Sequence, residues 1–156
     1  MATPLRKCMA CRERKVRRTT LEHYSTSVDH DGRGYDLVLD DLEVLQCENC
    51  GAIILEESAN KRISDALRRE VGLLLPEEIV ASRNRLGLTQ KQLAAYLKIA
   101  ESTLCRWETG AQIQQRAMDG LLRVFFQSAE ARAILGLPQF ETSPALSLST
   151  PALEPS

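Results

Sequence analysis

The sequence predicts an α+β chain: a small metal-bound β module in front, and an all-α domain of about five helices behind it. Three observations carry that expectation. Four of the five cysteines form two Cys-x-x-Cys pairs, Cys8 with Cys11 and Cys47 with Cys50. The segment between the pairs is rich in Thr, Tyr and Val, and the turn residues Asp29-His30-Asp31-Gly32-Arg33-Gly34 divide it. From Ala59 onward the apolar residues recur at helical spacing instead. The expected parts are a four-cysteine zinc-binding β module over residues 1–58, a linker helix over 59–75, a helix-turn-helix domain over 76–137 and a disordered, proline-rich tail over 138–156.

Two residues between thiolates let one tight turn aim both sulfurs at one ion. A second such turn completes a tetrahedral four-sulfur site. Cys8, Cys11, Cys47 and Cys50 are therefore the expected ligands of a structural Zn2+ ion, with iron as the open alternative. Gly51 suits a turn whose backbone needs positive φ. Disulfides fit poorly with an odd cysteine count and a reducing compartment. A redox Cys-x-x-Cys would need a βαβ context, which is lacking, and chance coincidence of two pairs is the remaining reading. Four thiolates leave no open position for water, and no His/Glu ligand set accompanies them. No catalytic residue is therefore expected, and a zinc-dependent enzyme is the least supported class. His23 and His30 read as surface or loop residues rather than ligands.

The 35 residues between the pairs exceed the spacing of a compact zinc ribbon, so this insert must carry structure of its own. Val16–Val28 reads as β structure, and Tyr35–Leu39 alternates as a strand. Val44-Leu45 leads into the second pair, and Ala52–Leu55 leads out of it. Ala59–Val71 reads as a helix, with Ile63, Ala66, Leu67 and Val71 on one side and Lys61, Arg62, Arg68 and Arg69 on the other; Gly72 stops it. Pro76 with Glu77 and Glu78 starts a helix to Leu86, which Gly87 ends. Thr89 and Gln92 form a capping box for the helix through Leu97. Lys98-Ile99-Ala100 is a short turn, and Glu101–Glu108 is the next helix, closed by Thr109-Gly110. Two short helices about such a turn match a helix-turn-helix. Leu93, Ala94, Leu97, Ile99, Leu104 and Trp107 fall between them, and Cys105 reads as a bystander on the surface. Helices around Met118–Phe125 and over Ser128–Leu135 complete the domain.

The formal net charge of -1 discourages a nucleic-acid partner only until it is divided along the chain. Residues 1–60 hold 8 basic and 11 acidic side chains, whereas residues 61–137 hold 12 basic and 8 acidic. An acidic front thus cancels a basic middle. No apolar run approaches the roughly 20 residues of a membrane helix. Cys8–Arg18 is basic where a signal peptide would be apolar, so a cytoplasmic protein without a membrane partner is expected.

Residues 77–126 resemble the Cro/repressor-type (Xre-like) helix-turn-helix family, through Leu88-Thr89-Gln90-Lys91-Gln92-Leu93-Ala94 and Arg106-Trp107-Glu108-Thr109-Gly110. With the cysteine pairs upstream, residues 8–137 resemble the MqsA (YgiT-type) antitoxins. Two departures stand out. Cys11 is followed by Arg12, where the family habit is a proline inside the pair and a glycine after it, and Gln114-Gln115 replaces a proline often found before the fourth helix of the domain. A helix-turn-helix lays its second helix in the major groove of double-stranded DNA, so Ser102, Thr103 and Arg106 are the expected base readers. Arg106 suits guanine O6 and N7. The resemblance supports Ser102 and Arg106 and places Gln90 at a phosphate contact; Lys91 and Lys98 are neighbours of phosphates. It further implies an antitoxin of a type II toxin–antitoxin system, whose zinc domain neutralises a small basic ribonuclease toxin and whose helix-turn-helix represses the shared operon. A palindromic operator calls for a homodimer, for which Leu121, Leu122, Phe125 and Phe126 offer apolar surface. The acids Asp36, Asp40, Asp41 and Glu43 either meet the toxin or merely solvate a sheet edge. The alternative function is a zinc-containing helix-turn-helix transcriptional repressor with no toxin partner.

Overall fold

The computed structural model describes residues 5–136. The tail expected over 138–156 lies outside them. The element order is β1 (Val16–His30), β2 (Arg33–Cys47), β3 (Ile53–Ile54), α1 (Glu57–Val71), α2 (Pro76–Arg85), α3 (Gln90–Leu97), α4 (Glu101–Thr109), α5 (Arg116–Gln127) and α6 (Ala129–Gly136).

β1 and β2 form one long antiparallel hairpin, in register from Val16↔Cys47 to His30↔Arg33. Its turn residues Asp31 and Gly32 have φ of 49° and 72°, positive at both positions as a two-residue hairpin turn of the primed type requires. At about 3.3 Å per residue the hairpin is roughly 45 Å long. This corrects the expected strands. Tyr35–Leu39 and Val44-Leu45 belong to one continuous strand, because the acids between them alternate outward or sit at a break. That break lies where Glu22 and Asp41 face each other unpaired, Asp41 having φ 50°. Short β3 adds to the other edge of β2 through Leu45↔Ile54 and Gln46↔Ile53.

One face of the hairpin is covered by α1. Leu37, Leu39, Leu42 and Val44 pack there with Ala59 and Leu67, and Leu21, Tyr24, Val28 and Ile63 flank them. The segment expected as a linker is thus a core element of the front half. It also explains why, among the described residues, six helices follow the sheet where about five were expected. Gly72, with φ 79°, ends α1 in a left-handed cap, its N–H donating to the Arg69 carbonyl. Arg68 departs from the expected polar side: it is 1% exposed.

α2–α6 enclose a second core of Ile79, Leu93, Ala94, Leu97, Leu104, Trp107, Leu122, Phe125 and Phe126. Local signals set the helix starts. Thr89 Oγ1 accepts from the Gln92 N–H at 3.1 Å and Gln92 Oε1 accepts from the Thr89 N–H at 2.9 Å, a closed capping box. Glu78 accepts from the Leu75 N–H at 2.7 Å in front of Pro76. The apolar residues offered for dimerisation need correction. Leu122 and Phe125 are fully buried and Phe126 is 9% exposed, all within this chain's own core; only Leu121 of the four stays half-exposed.

Candidate metal centre and nucleic-acid interface

The four paired cysteines meet at the open end of the hairpin, with their sulfurs all within 4.8 Å of one another. Cys8 Sγ lies 3.6 Å from Cys50 Sγ, and Cys11 Sγ lies 3.6 Å from Cys47 Sγ. A regular tetrahedron with metal–sulfur bonds of about 2.3 Å has edges of about 3.8 Å, so the donor set fits one metal ion. Cys8 and Cys47 are buried beside Val16 and Leu45, Cys11 is half-buried and Cys50 is exposed. His23 and His30 take no part in the cluster.

The two cysteine turns are built alike. The Cys8 carbonyl accepts from the Arg12 N–H at 2.9 Å, as the Cys47 carbonyl accepts from the Gly51 N–H at 2.8 Å. The Cys8 N–H donates to the Glu13 carbonyl, and the Cys47 N–H donates to that of Ala52, at equivalent positions. Arg12 therefore occupies the place of Gly51, with φ 65° against 74°. The missing glycine of the first turn does not change its geometry; it makes an arginine adopt a left-handed backbone. Without a metal the four thiols cannot ionise together. Hydrogen bonding from the Glu13 N–H brings Cys11 down to about 7, aided by its sulfur neighbours. The Ala52 N–H favours the Cys50 thiolate, but the sulfurs of Cys11, Cys8 and Cys47 and burial outweigh it and push Cys50 up to about 12. A divalent ion removes that conflict.

Beside the second core, Lys98 at φ 58° turns the chain out of α3, and α4 begins after an extended Ala100. Ser102 and Arg106, one turn apart on α4, are both exposed, and Thr103 beside them is half-buried. Trp107 is 4% exposed, turned into the core as expected. Cys105 is half-buried, less of a surface residue than its reading implied. Lys91 and Lys98 are exposed. Gln90 is held rather than free: its amide donates to Glu108 Oε2 at 2.7 Å. The carboxylate of Glu108 also accepts from Arg83 Nε at 2.7 Å and Nη2 at 3.0 Å, in a pair that is 14% and 3% exposed. This pair lifts the Arg83 pKa and locks α2, α3 and α4 together. Glu108 stands in the Arg106–Gly110 motif, but no local pattern marks Arg83, an ordinary helix-surface charge in the sequence, as its partner.

The acids singled out in the front half divide. Asp36, Asp40 and Glu43 lie exposed on the hairpin face away from α1, with Val38 at 66% exposure among them. Asp41 sits where the pairing is interrupted, and its carbonyl and that of Asp40 accept from Arg62 at 2.6 Å and 2.8 Å. His23 contacts Asp40 at 2.6 Å, and Arg18, 3.7 Å from Glu43, offsets part of the negative charge of this face. Among the described residues no helix is long and apolar enough to cross a membrane. The family model described as the antitoxin component of bacterial toxin-antitoxin systems, MqsA, matches residues 6–131. No curated protein matches the chain.

Proposed function

The chain belongs to the MqsA antitoxin family, and from that premise we propose a DNA-binding antitoxin of a type II toxin–antitoxin pair that represses its own operon. In this reading Cys8, Cys11, Cys47 and Cys50 hold a structural Zn2+ ion, which fixes the open end of the hairpin and does no chemistry. The front half neutralises a small basic ribonuclease toxin, and its acidic face at Asp36, Asp40 and Glu43 suits such a partner. The helical domain binds a palindromic operator as a cytoplasmic homodimer and is not an enzyme. Val124 and Ile134, 52% and 68% exposed on α5 and α6, supply apolar surface for a second copy in place of the residues spent in the core.

The observation that carries the reading is the exposure of Ser102 and Arg106 on one face of α4, anchored from behind by Trp107 and Leu104. Gln90, Lys91 and Thr103 flank that face, the first positioned by Glu108. The test is binding of the full chain to the DNA upstream of its own coding sequence. Arg106→Ala should cost about 1–3 kcal/mol at one base pair and relax specificity there, whereas Lys91→Ala should weaken all sequences alike and lower the salt slope by about 1. Equal weakening by both variants on every sequence would remove Arg106 from base reading. Failure of the full chain to block a ribonuclease encoded beside it would leave a repressor without a toxin.

A further inference from the structure

Contacts from the front half converge on the loop between α4 and α5. Arg68 of α1 donates through Nη1 to Asp65 Oδ1 at 3.0 Å, and through Nη2 to the carbonyls of Gln112 at 3.3 Å and Gly110 at 3.5 Å. Ile113 leaves the helical domain to pack against the apolar cluster of the hairpin and α1. At the hairpin tip, Asp31 accepts from the Arg116 N–H at 2.8 Å, with Arg116 Nε at 3.5 Å. That N–H belongs to the first turn of α5, where a helix has no partner of its own for it. The tip of a hairpin 85 positions earlier in the chain thus caps α5. The loop is equally tied to α4: the Gln112 N–H donates to the Arg106 carbonyl at 3.1 Å and the Gly110 N–H to the Trp107 carbonyl at 3.3 Å. Residue Gln112 alone therefore stands between the Arg68 guanidinium and the backbone of Arg106. A guanidinium at 1% exposure is costly to bury, and its Nε has no partner. An apolar side chain would serve helix packing at lower cost; only a donor can hold the two loop carbonyls.

We propose that Arg68 and Asp31 are positioning residues for α4, and that the loop 110–115 with the first residue of α5 couples the cysteine-bearing front half to the face carrying Ser102 and Arg106. The inference rests on the DNA-reading role proposed above.

The test uses the full chain with Arg68→Met, which keeps the stem and leaves Asp65 its contact with Lys61, and Asp31→Gly, which keeps the positive φ of the turn. Amide hydrogen exchange should speed up over residues 106–116 in Arg68→Met and over 113–119 in Asp31→Gly, while Leu42 and Val44 stay protected. Affinity for the upstream DNA should fall about fivefold or more in each variant. Asp31→Asn, whose amide oxygen still accepts the Arg116 N–H, should restore most of it. Unchanged exchange in the loop would overturn the joint whether or not the chain binds DNA. Faster loop exchange with unaltered DNA affinity would overturn the positioning role. A wild-type chain that binds no DNA would instead sink the reading of α4 itself, with the exchange arm still deciding whether the grip exists. Should Arg68→Met fail to fold, Asp31→Gly and its Asn rescue carry the test alone.

Discussion

Replacing Glu108 by Ala perturbs the point where three helices of the helical domain, α2, α3 and α4, are fastened. Glu108 is 3% exposed and holds Arg83 through two hydrogen bonds, at 2.7 Å and 3.0 Å, and the Gln90 amide at 2.7 Å. Its removal leaves a guanidinium only 14% exposed without its counter-charge. Removing one member of a buried pair costs about 3–5 kcal/mol. The lower end applies here, because Arg83 keeps the Leu88 carbonyl at 2.8 Å and Asn84 at 3.1 Å, and half-exposed Gln90 can turn to water. A loss of about 3 kcal/mol is a large part of the roughly 5–15 kcal/mol a domain commonly has. The assay is urea unfolding followed by the fluorescence of Trp107, the single tryptophan, which is buried next to Glu108 in the chain. A double variant, Arg83→Met with Glu108→Leu, should be more stable than Glu108→Ala, since it leaves no stranded charge. A cost below about 1 kcal/mol for Glu108→Ala, or a double variant no more stable than Glu108→Ala, would refute the account.

Metal removal should act mainly on the front half. The cluster around the cysteines contains only Cys8, Val16, Leu45 and Cys47 as buried members, so a bound ion worth about 10–16 kcal/mol would supply most of its stability. A chelator should speed amide exchange around Val16, Leu45 and Ile54 at the open end of the hairpin and leave Trp107 emission in place; unchanged exchange there would contradict this. Arg12→Gly should strengthen the site, because a residue with a side chain at φ 65° bears roughly 1 kcal/mol of strain that glycine does not. Chelator competition should show slower metal loss from this variant, and faster loss would count against the equivalence of Arg12 and Gly51. Acid should release the hairpin tip. The Arg116 N–H, with His30 and the Arg116 guanidinium, holds the Asp31 carboxyl below its ordinary 3.8. Its contribution is therefore complete above that value and lost as pH falls through the depressed folded-state value. The Arg116 amide resonance should titrate below 3.8, and a midpoint at or above 3.8 would exclude the cap.

Periodic and paired features were legible in the sequence. Two Cys-x-x-Cys pairs, a Thr89/Gln92 capping box and helix stops at glycine are each local, so spacing alone reveals them. The α+β class, the gathering of the four paired cysteines and the inward turn of Trp107 followed from such signals. The hairpin was read too short because the acids Asp40, Asp41 and Glu43 look like a loop. They are tolerated in a strand because one face of it is open to water and the pairing is interrupted at Asp41 without a change of register. The dimer surface was misread for the opposite reason. Leu122, Phe125 and Phe126 look surplus on one helix, and become core only when Leu93, Leu97 and Leu104 close over them.

What remained illegible is the set of long-range polar contacts: Arg68 on Gly110 and Gln112, Asp31 on Arg116, Leu74 N–H on Asp119, Arg83 on Glu108. A charged residue on a helix or in a turn carries no mark of its partner when that partner lies 25 to 85 positions away. These contacts decide more than stability. Division of the net charge along the chain separates an acidic module from a basic one, and taken alone it implies two parts on a tether. The buried guanidinium of Arg68 and the capping carboxylate of Asp31 argue against a tether, because the first ties the module that bears the cysteines to the loop after α4 and the second ties it to the start of α5. Two modules of opposite charge that shared only a flexible linker would act independently. Held through residues 110–115 and the first turn of α5, the two parts of this chain share polar contacts that a flexible linker would not provide.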